Sequence, residues 1–277
     1  MKITKKEVNK LIENLLKEDK ASADITSNYF VDKNQQAKAT IFSKEKLIIS
    51  GINFVLALFK KSCNNIKILS QLKDGSEIKK NTKILVFEGN ANKILSAERS
   101  GLNLLQHLSG ISTLTAQYCK KIKNGKTILL DTRKTTPGLR KFEKYATFIG
   151  GAQNHRLDLS QNYMIKDNHL LLNNEIYSKI SKMKNKQKKI IFECDNLFQV
   201  KKAINLKIKH ILLDNMNIKT IKKAKEIIGK KAKIEISGGI NLKNITKILK
   251  IGVDFISVGA ITQSAPAANI NLDLEKK

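Results

Sequence analysis

Between residues 127 and 258 the chain repeats one motif six times, a short aliphatic run followed at once by a polar cluster. The runs are TILL (127 to 130), YMI (163 to 165), KIIF (189 to 192), HILL (210 to 213), KIEI (233 to 236) and FISV (255 to 258). Apolar residues at helical spacing separate most of them, over 197–204, 218–228 and 242–249. Short strands alternating with helices imply βαβ units and a parallel sheet. The pattern predicts an α/β barrel of about six strands, with an open doubly wound sheet as the lesser alternative. In either fold the polar sequels gather at the carboxyl ends of the strands.

The part before it has another rhythm. Val8, Leu11, Ile12, Leu15 and Leu16 follow helical spacing, and Thr4 with Glu7 forms a capping-box pattern. Strand-like runs follow at 37–42, 46–50, 66–69 and 83–89, with an apolar helix around 54–59. Residues 95–122 read as helical, with a possible break at Ser109-Gly110. The reading is a small N-terminal α/β unit over 1–108 and a barrel over 109–265. No Pro- or Ser-rich linker separates them.

The strand-end residues form a coherent chemical set. Arg133 and Lys134, Lys166, and the nearby His155 and Arg156 are cations suited to an acceptor with several carboxylates or phosphates. Glu193 and Asp214 follow neighbouring runs and suit Mg²⁺, which is usually held by one or two carboxylates together with substrate phosphates. Ser237, Gly238 and Gly239, with Gly259 after the last run, suit a backbone cradle for phosphate. Taken singly, a Lys or Asp after a strand is more often a turn or cap residue. Six strand ends bearing such groups together are hard to ascribe to chance. His107 and His210 read as packing or surface residues.

Composition bears on partners. The formal net charge is +28, but only four of the 52 basic residues are Arg: Arg99, Arg133, Arg140 and Arg156. A lysine-dominated coat with few aromatics is not the makeup of a nucleic-acid reader, which leaves that class a remote alternative. Scarce arginines within one 58-residue window point instead to places where the bidentate fork is needed. No apolar stretch is long enough for a bilayer, and the N-terminus lacks a secretory h-region, so a cytoplasmic location is expected. Cys63, Cys119 and Cys194 are scattered, without metal-ligand spacing.

The segments DTRKTTPGLRKFEKYA (131 to 146), NHR (154 to 156), IKDNH (165 to 169), LLDNM (212 to 216), EISGGI (235 to 240) and VDFISVGAIT (253 to 262) closely resemble the quinolinate phosphoribosyltransferase family. EDKASADIT (18 to 26) and AERSGLNLLQHLSGIST (97 to 113) resemble it as well, so the likeness runs along nearly the whole chain. The resemblance implies an incomplete barrel preceded by an N-terminal α/β sandwich that the tail, about 266–277, completes. It implies that quinolinate and phosphoribosyl pyrophosphate give nicotinate mononucleotide, CO₂ and pyrophosphate, with Mg²⁺, in de novo NAD biosynthesis. Quinolinate would lie among Arg133, Lys134, His155, Arg156 and Lys166, with Arg99 reaching in from a partner subunit of a homodimer or hexamer. Glu193 and Asp214 would take the metal-bound donor, and Ser237, Gly238, Gly239 and Gly259 its 5′-phosphate. Lys134, Lys166, Glu193 and Asp214 would be the catalytic groups. The nearest rival is a homologous phosphoribosyltransferase with another acceptor, of the molybdenum-transport-associated or nicotinate-using type.

Overall fold

The computed structural model describes residues 3–122, 126–183 and 189–277. They divide into two compact units, one of Met1–Ala116, Pro137–Gly151 and Ser264–Lys277, the other of Gln117–Thr136 and Ala152–Gln263.

The first unit contains α1 (Lys5–Glu18), α2 (Ile25–Phe30), β1 (Gln36–Ser43), β2 (Leu47–Ile48), α3 (Ile52–Ser62), β3 (Lys67–Gln71), β4 (Glu77–Ile78), β5 (Lys83–Asn90) and the start of α4 (Ala91–Ile122). Thr4 and Glu7 make the expected capping box, which satisfies two orphan donors at the start of α1. Strands β1, β5 and β3 pair antiparallel. The chain's last strand, β12 (Ile270–Lys276), adds to the other side of β1, giving the order β12-β1-β5-β3. Alternate β1 residues Ala37, Ala39 and Ile41 are buried, as are Val55, Leu58 and Phe59 of α3. Each large apolar side chain so buried contributes about 1.5–3 kcal/mol against the entropy of folding.

Helix α4 is continuous, without the break considered at Ser109-Gly110. Those small residues serve contact rather than termination. Ser109 Oγ accepts the Ser50 N–H at 3.1 Å, and Gln106 O accepts the Ala268 N–H at 2.9 Å. A β-carbon on Gly110 would stand 3.0 Å from the Pro266 carbonyl carbon, so only glycine lets the tail lie this close. Helix α5 (Arg140–Ile149) also belongs to this unit, as do residues 109–116, whereas the sequence reading placed them in the barrel.

In the second unit all six aliphatic runs are strands: β6 (Ile128–Leu130), β7 (Tyr163–Ile165), β8 (Ile190–Cys194), β9 (His210–Asp214), β10 (Lys233–Ser237) and β11 (Phe255–Ser257). They form one parallel sheet in the order β6-β11-β10-β9-β8-β7. Between them run α6 (Asp167–Leu172), α7 (Ile176–Lys182), α8 (Leu197–Asn205), α9 (Ile218–Ile228), α10 (Ile245–Leu249) and α11 (Ala260–Gln263). Helices α8 and α9 start where expected because Asn196 and Asn217 cap them, accepting the Gln199 and Thr220 N–H groups. Helix α10 starts three residues later than its apolar spacing suggests. Asn241 Oδ1 accepts the Lys243 and Asn244 N–H groups, and this local turn competes with the helix.

The sheet curls. Edge strands of a flat six-stranded sheet would lie about 24 Å apart, yet Thr132 after β6 and Met164 on β7 line one cavity of about 320 Å³. The result is an incomplete α/β barrel. Among the described residues no helix is long and apolar enough to cross a membrane.

Candidate active site

The cavity is built by the period-two alternation of strands. Met164 and Lys166 come from β7 and its end, Glu193 from β8, Leu212 and Asp214 from β9, Glu235 and Ser237 from β10, and Ser257 from β11. The opposite set, such as Ile211, Leu213, Ile234 and Ile236, is buried. The loop after β6 adds Thr132, Arg133 and Lys134, and the segment before β7 adds His155 and Arg156. Eight of the expected residues therefore share one cavity: Arg133, Lys134, His155, Arg156, Lys166, Glu193, Asp214 and Ser237.

The cations are held by short polar contacts. Asp131, wholly buried, accepts the His155 N–H at 2.8 Å and the Asn154 side-chain amide at 2.6 Å, which fixes the turn carrying Arg156. Arg156 is only 9% exposed. Its Nη1 donates to Asn162 O at 3.1 Å and its Nη2 faces Met164 Sδ at 3.4 Å. Burial, followed by the nearby Arg133 charge, pushes the Arg156 guanidinium below its ordinary value. The Nε atoms of Arg133 and Arg156 are both buried without a hydrogen-bond partner in the chain. Buried donors of this kind are costly, and an oxyanion satisfies them well.

Lys166 Nζ donates to Glu193 Oε2 at 2.7 Å. Burial raises the Glu193 carboxyl above its ordinary value, against the lowering effect of Lys166 and with further raising by Asp214 and Asp195. Lys134 is tethered by its backbone, its N–H reaching Thr132 Oγ1 at 3.0 Å and its O accepting the Thr262 hydroxyl at 2.7 Å. A β-carbon on Gly259 would stand 3.0 Å from Lys134 Cδ, so that glycine leaves room for the lysine stem. Gly238 and Gly239 have φ of +91° and +62°, and a β-carbon on Gly239 would meet nothing within 4 Å. The three glycines sit at the ends of β10 and β11, outside the cavity lining itself. Arg99 lies in the first unit, exposed on α4.

Sequence reading missed Glu235, whose signal was a carboxylate at an inward position inside the aliphatic run KIEI. His210, read as packing or surface, is bound to it, with Nε2 2.6 Å from Glu235 Oε2. His107, in the first unit, meets Glu143 at 2.8 Å. Among the described residues no three His, Cys, Asp or Glu side chains cluster as a metal cage. Glu193 and Asp214, both on the cavity wall, fit the looser arrangement of an Mg²⁺ held partly by substrate phosphates. Burial pushes the Cys63 and Cys119 thiols up to about 11, and Cys194 is raised as well, so none is a ready nucleophile.

An open parallel barrel whose strand ends converge four permanent cations and three carboxylates on one cavity defines an enzyme that handles a small polyanionic substrate. Comparison with known proteins makes this more specific. The profile of the quinolinate phosphoribosyl transferase N-terminal domain matches residues 24–109, and that of its C-terminal domain matches 111–273. A Methanocaldococcus jannaschii relative, named as a probable nicotinate-nucleotide pyrophosphorylase (carboxylating), is 38% identical over 276 residues, covering 96% of each chain. A chloroplastic nicotinate-nucleotide pyrophosphorylase (carboxylating) of Arabidopsis thaliana is 33% identical, covering 92% of this chain and 78% of its own. The crystal structure of nicotinate-nucleotide pyrophosphorylase from Ehrlichia chaffeensis superimposes with a TM-score of 0.92 at 37% identity, over 99% of this chain and all of the other. The chain belongs to the quinolinate phosphoribosyltransferase family.

Proposed function

We propose that this protein is a carboxylating nicotinate-nucleotide pyrophosphorylase. It transfers phosphoribosyl from 5-phosphoribosyl 1-pyrophosphate to quinolinate with loss of CO₂, giving nicotinate mononucleotide and pyrophosphate, a step of NAD biosynthesis. The observation that carries the reading is the pair of buried, unpartnered Nε donors on Arg133 and Arg156. Beside Lys134 and Lys166 they match two carboxylates on one small ring.

The mechanism follows from the charges. Arg133, Arg156, Lys134 and Lys166 hold the dicarboxylate with its ring nitrogen towards the ribose, an orientation effect worth several kcal/mol. As the C1–O bond to pyrophosphate breaks, positive charge grows at C1, and the Glu193 and Asp214 carboxylates stabilise it. The ring nitrogen then bonds to C1 and becomes cationic. That charge stabilises the carbanion left when the adjacent carboxylate departs as CO₂, and a proton completes the product. Glu193 and Asp214 would hold Mg²⁺, which neutralises the leaving pyrophosphate when bound. Ser237, Gly238, Gly239 and Gly259 cradle the 5′-phosphate with backbone N–H groups.

We assign Arg99 to the site of a second copy, in a homodimer or a larger assembly of dimers. Its exposure supports this, as does its setting. Asp24 and Asn28 tie α2 to α4 through Ser96 and Asn92, and α2 presents Ile25, Tyr29 and Phe30 at 78–83% exposure. An apolar patch of that kind beside an arginine suits a subunit interface. Mixing Arg99→Ala and Arg133→Ala chains, assayed at a quinolinate concentration too low for either variant alone to turn over appreciably, tests it. If sites are shared, half the dimers are mixed with one intact site each, restoring about a quarter of wild-type activity. No recovery after subunit exchange would refute the sharing.

The reaction itself is tested by assaying quinolinate and nicotinate in turn with the pyrophosphate donor. Release of CO₂ and nicotinate mononucleotide from quinolinate alone is expected. Nicotinate accepted while quinolinate is ignored would overturn the acceptor.

A further inference from the structure

We propose that Glu235 is a positioning residue for the acceptor pocket, acting through the His155 ring on Arg156; this deepens the phosphoribosyltransferase reading and rests on it. Glu235 is wholly buried at an inward position of β10, where the neighbouring strand residues are aliphatic. A carboxylate in such a place is expensive unless several donors meet it. Two do, and a third polar group faces it. The Ser257 hydroxyl donates to Oε1, His210 Nε2 lies 2.6 Å from Oε2, and His155 Nε2 faces Oε1 at 3.5 Å, a contact longer than a good hydrogen bond. Burial alone would raise this carboxyl, but the two histidine rings beside it hold it at about 2, so it is an anion at neutral pH.

The other nitrogen of His155 decides what that anion does. Arg156 N–H donates to His155 Nδ1 at 2.8 Å. A backbone nitrogen can only donate, so Nδ1 bears the lone pair and the ring proton sits on Nε2, facing Glu235. Glu235 thus selects the tautomer able to accept from Arg156. In the opposite tautomer two N–H groups would face each other, and the Arg156 backbone would have to move. Arg156, like Arg133, carries a buried Nε–H without a partner in the chain, so its placement helps set the geometry of acceptor binding. His155 itself enters as a fixed wall of the cavity, with both nitrogens directed at protein groups.

The test uses the full-length chain and has two independent readouts. Long-range ¹H–¹⁵N spectra of the histidine-labelled wild type are expected to show His155 as the Nε2–H tautomer near pH 7.5. An Nδ1–H tautomer or an imidazolium there overturns the proposal without any mutation. In Glu235→Gln, whose amide offers one acceptor oxygen, the His155 tautomer should become mixed. The quinolinate KM should rise about tenfold or more while the donor KM stays within about twofold and the melting temperature holds. Glu235→Asp, which keeps the charge, should restore part of the quinolinate KM. Unchanged quinolinate KM in Glu235→Gln, or equal rises in both KM values with a fallen melting temperature, would reduce Glu235 to a fold residue. Failure of the wild type to use quinolinate sinks the functional reading instead, and the tautomer measurement still judges Glu235.

Discussion

Asn215 and Gly238 are fitted against each other at the ends of β9 and β10: a β-carbon on Gly238 would stand 2.6 Å from Asn215 Cγ and 2.8 Å from its backbone nitrogen. Asn215 itself has φ of +51°, a conformation asparagine tolerates better than most residues. Its side-chain amide donates to Asp214 Oδ2 at 2.7 Å, and its N–H to Ser237 O at 3.0 Å. One residue thereby ties the carboxylate proposed for the donor's metal to the turn proposed for the donor's phosphate.

Gly238→Ala should therefore damage donor binding. The clash is with backbone as well as side chain, and φ of +91° adds strain of about 1–3 kcal/mol. The expected outcome is a donor KM raised about tenfold or more with the quinolinate KM much less affected. Initial rates with each substrate varied in turn decide it.

Arg133→Ala and Arg156→Ala should each raise the quinolinate KM by about 10- to 150-fold, the loss of roughly 1.5–3 kcal/mol from hydrogen bonds to a charged partner. Lysine at either position should recover little, because it lacks the Nε–H donor and the planar fork. Thermal melts should stay near wild type. Full activity in both alanine variants would remove the arginines from the site.

The pH dependence follows from Glu193. Burial raises its carboxyl, so the anion it contributes forms at a higher pH than that of an ordinary glutamate. The acid limb of kcat/KM should lie above about pH 4.3, the value of a free glutamate. Lys166→Met removes the hydrogen bond that lowers Glu193 and should move the limb of the residual activity further up. For stability the sign is opposite to that of a salt-bridged acid. A raised carboxyl contributes stability below its unfolded value, and this is lost as pH rises through the folded one. Urea melts of wild type against Glu193→Gln from pH 4 to 8 should show the variant gaining relative stability with rising pH.

Gly110→Ala should destabilise the first unit although alanine favours helix by about 1 kcal/mol. The new methyl group would press into the backbone of Pro266 within α4's contact with the tail. Overpacking of this kind costs about 1–3 kcal/mol or more. Denaturant unfolding at neutral pH measures it, and a more stable variant would show that the tail can retreat.

Elements with strong local signals were legible in the sequence. The capping box at Thr4 and Glu7, the helical spacing of α8 and α9, and six aliphatic runs each followed by polar residues rest on interactions spanning a few residues, and all are found in place. The strand-and-loop pattern also put eight of the chosen residues into one cavity, Lys166, Glu193, Asp214 and Ser237 from strand ends and Arg133, Lys134, His155 and Arg156 from the loops beside them. Short or displaced elements were not legible. Strand β4 has two residues, α10 yielded its first turn to Asn241, and α5 packs with a unit that begins over a hundred residues earlier.

The sequence alone determined the alternation of strand and helix, and hence the rim on which Arg133, Lys166, Glu193 and Asp214 are displayed, because a period of two residues in a parallel strand is a local property. Tertiary structure alone decided what lies beneath that rim. Glu235 and His210 sit 25 residues apart on neighbouring strands, and His155 reaches the same carboxylate from another segment. Pairing of β9 with β10 sets the first two side by side, and the fold of the segment before β7 brings His155 to them. A carboxylate in an aliphatic run has no partner until the strands beside it supply one, and for that reason its role could be read from the fold and not from the order of residues.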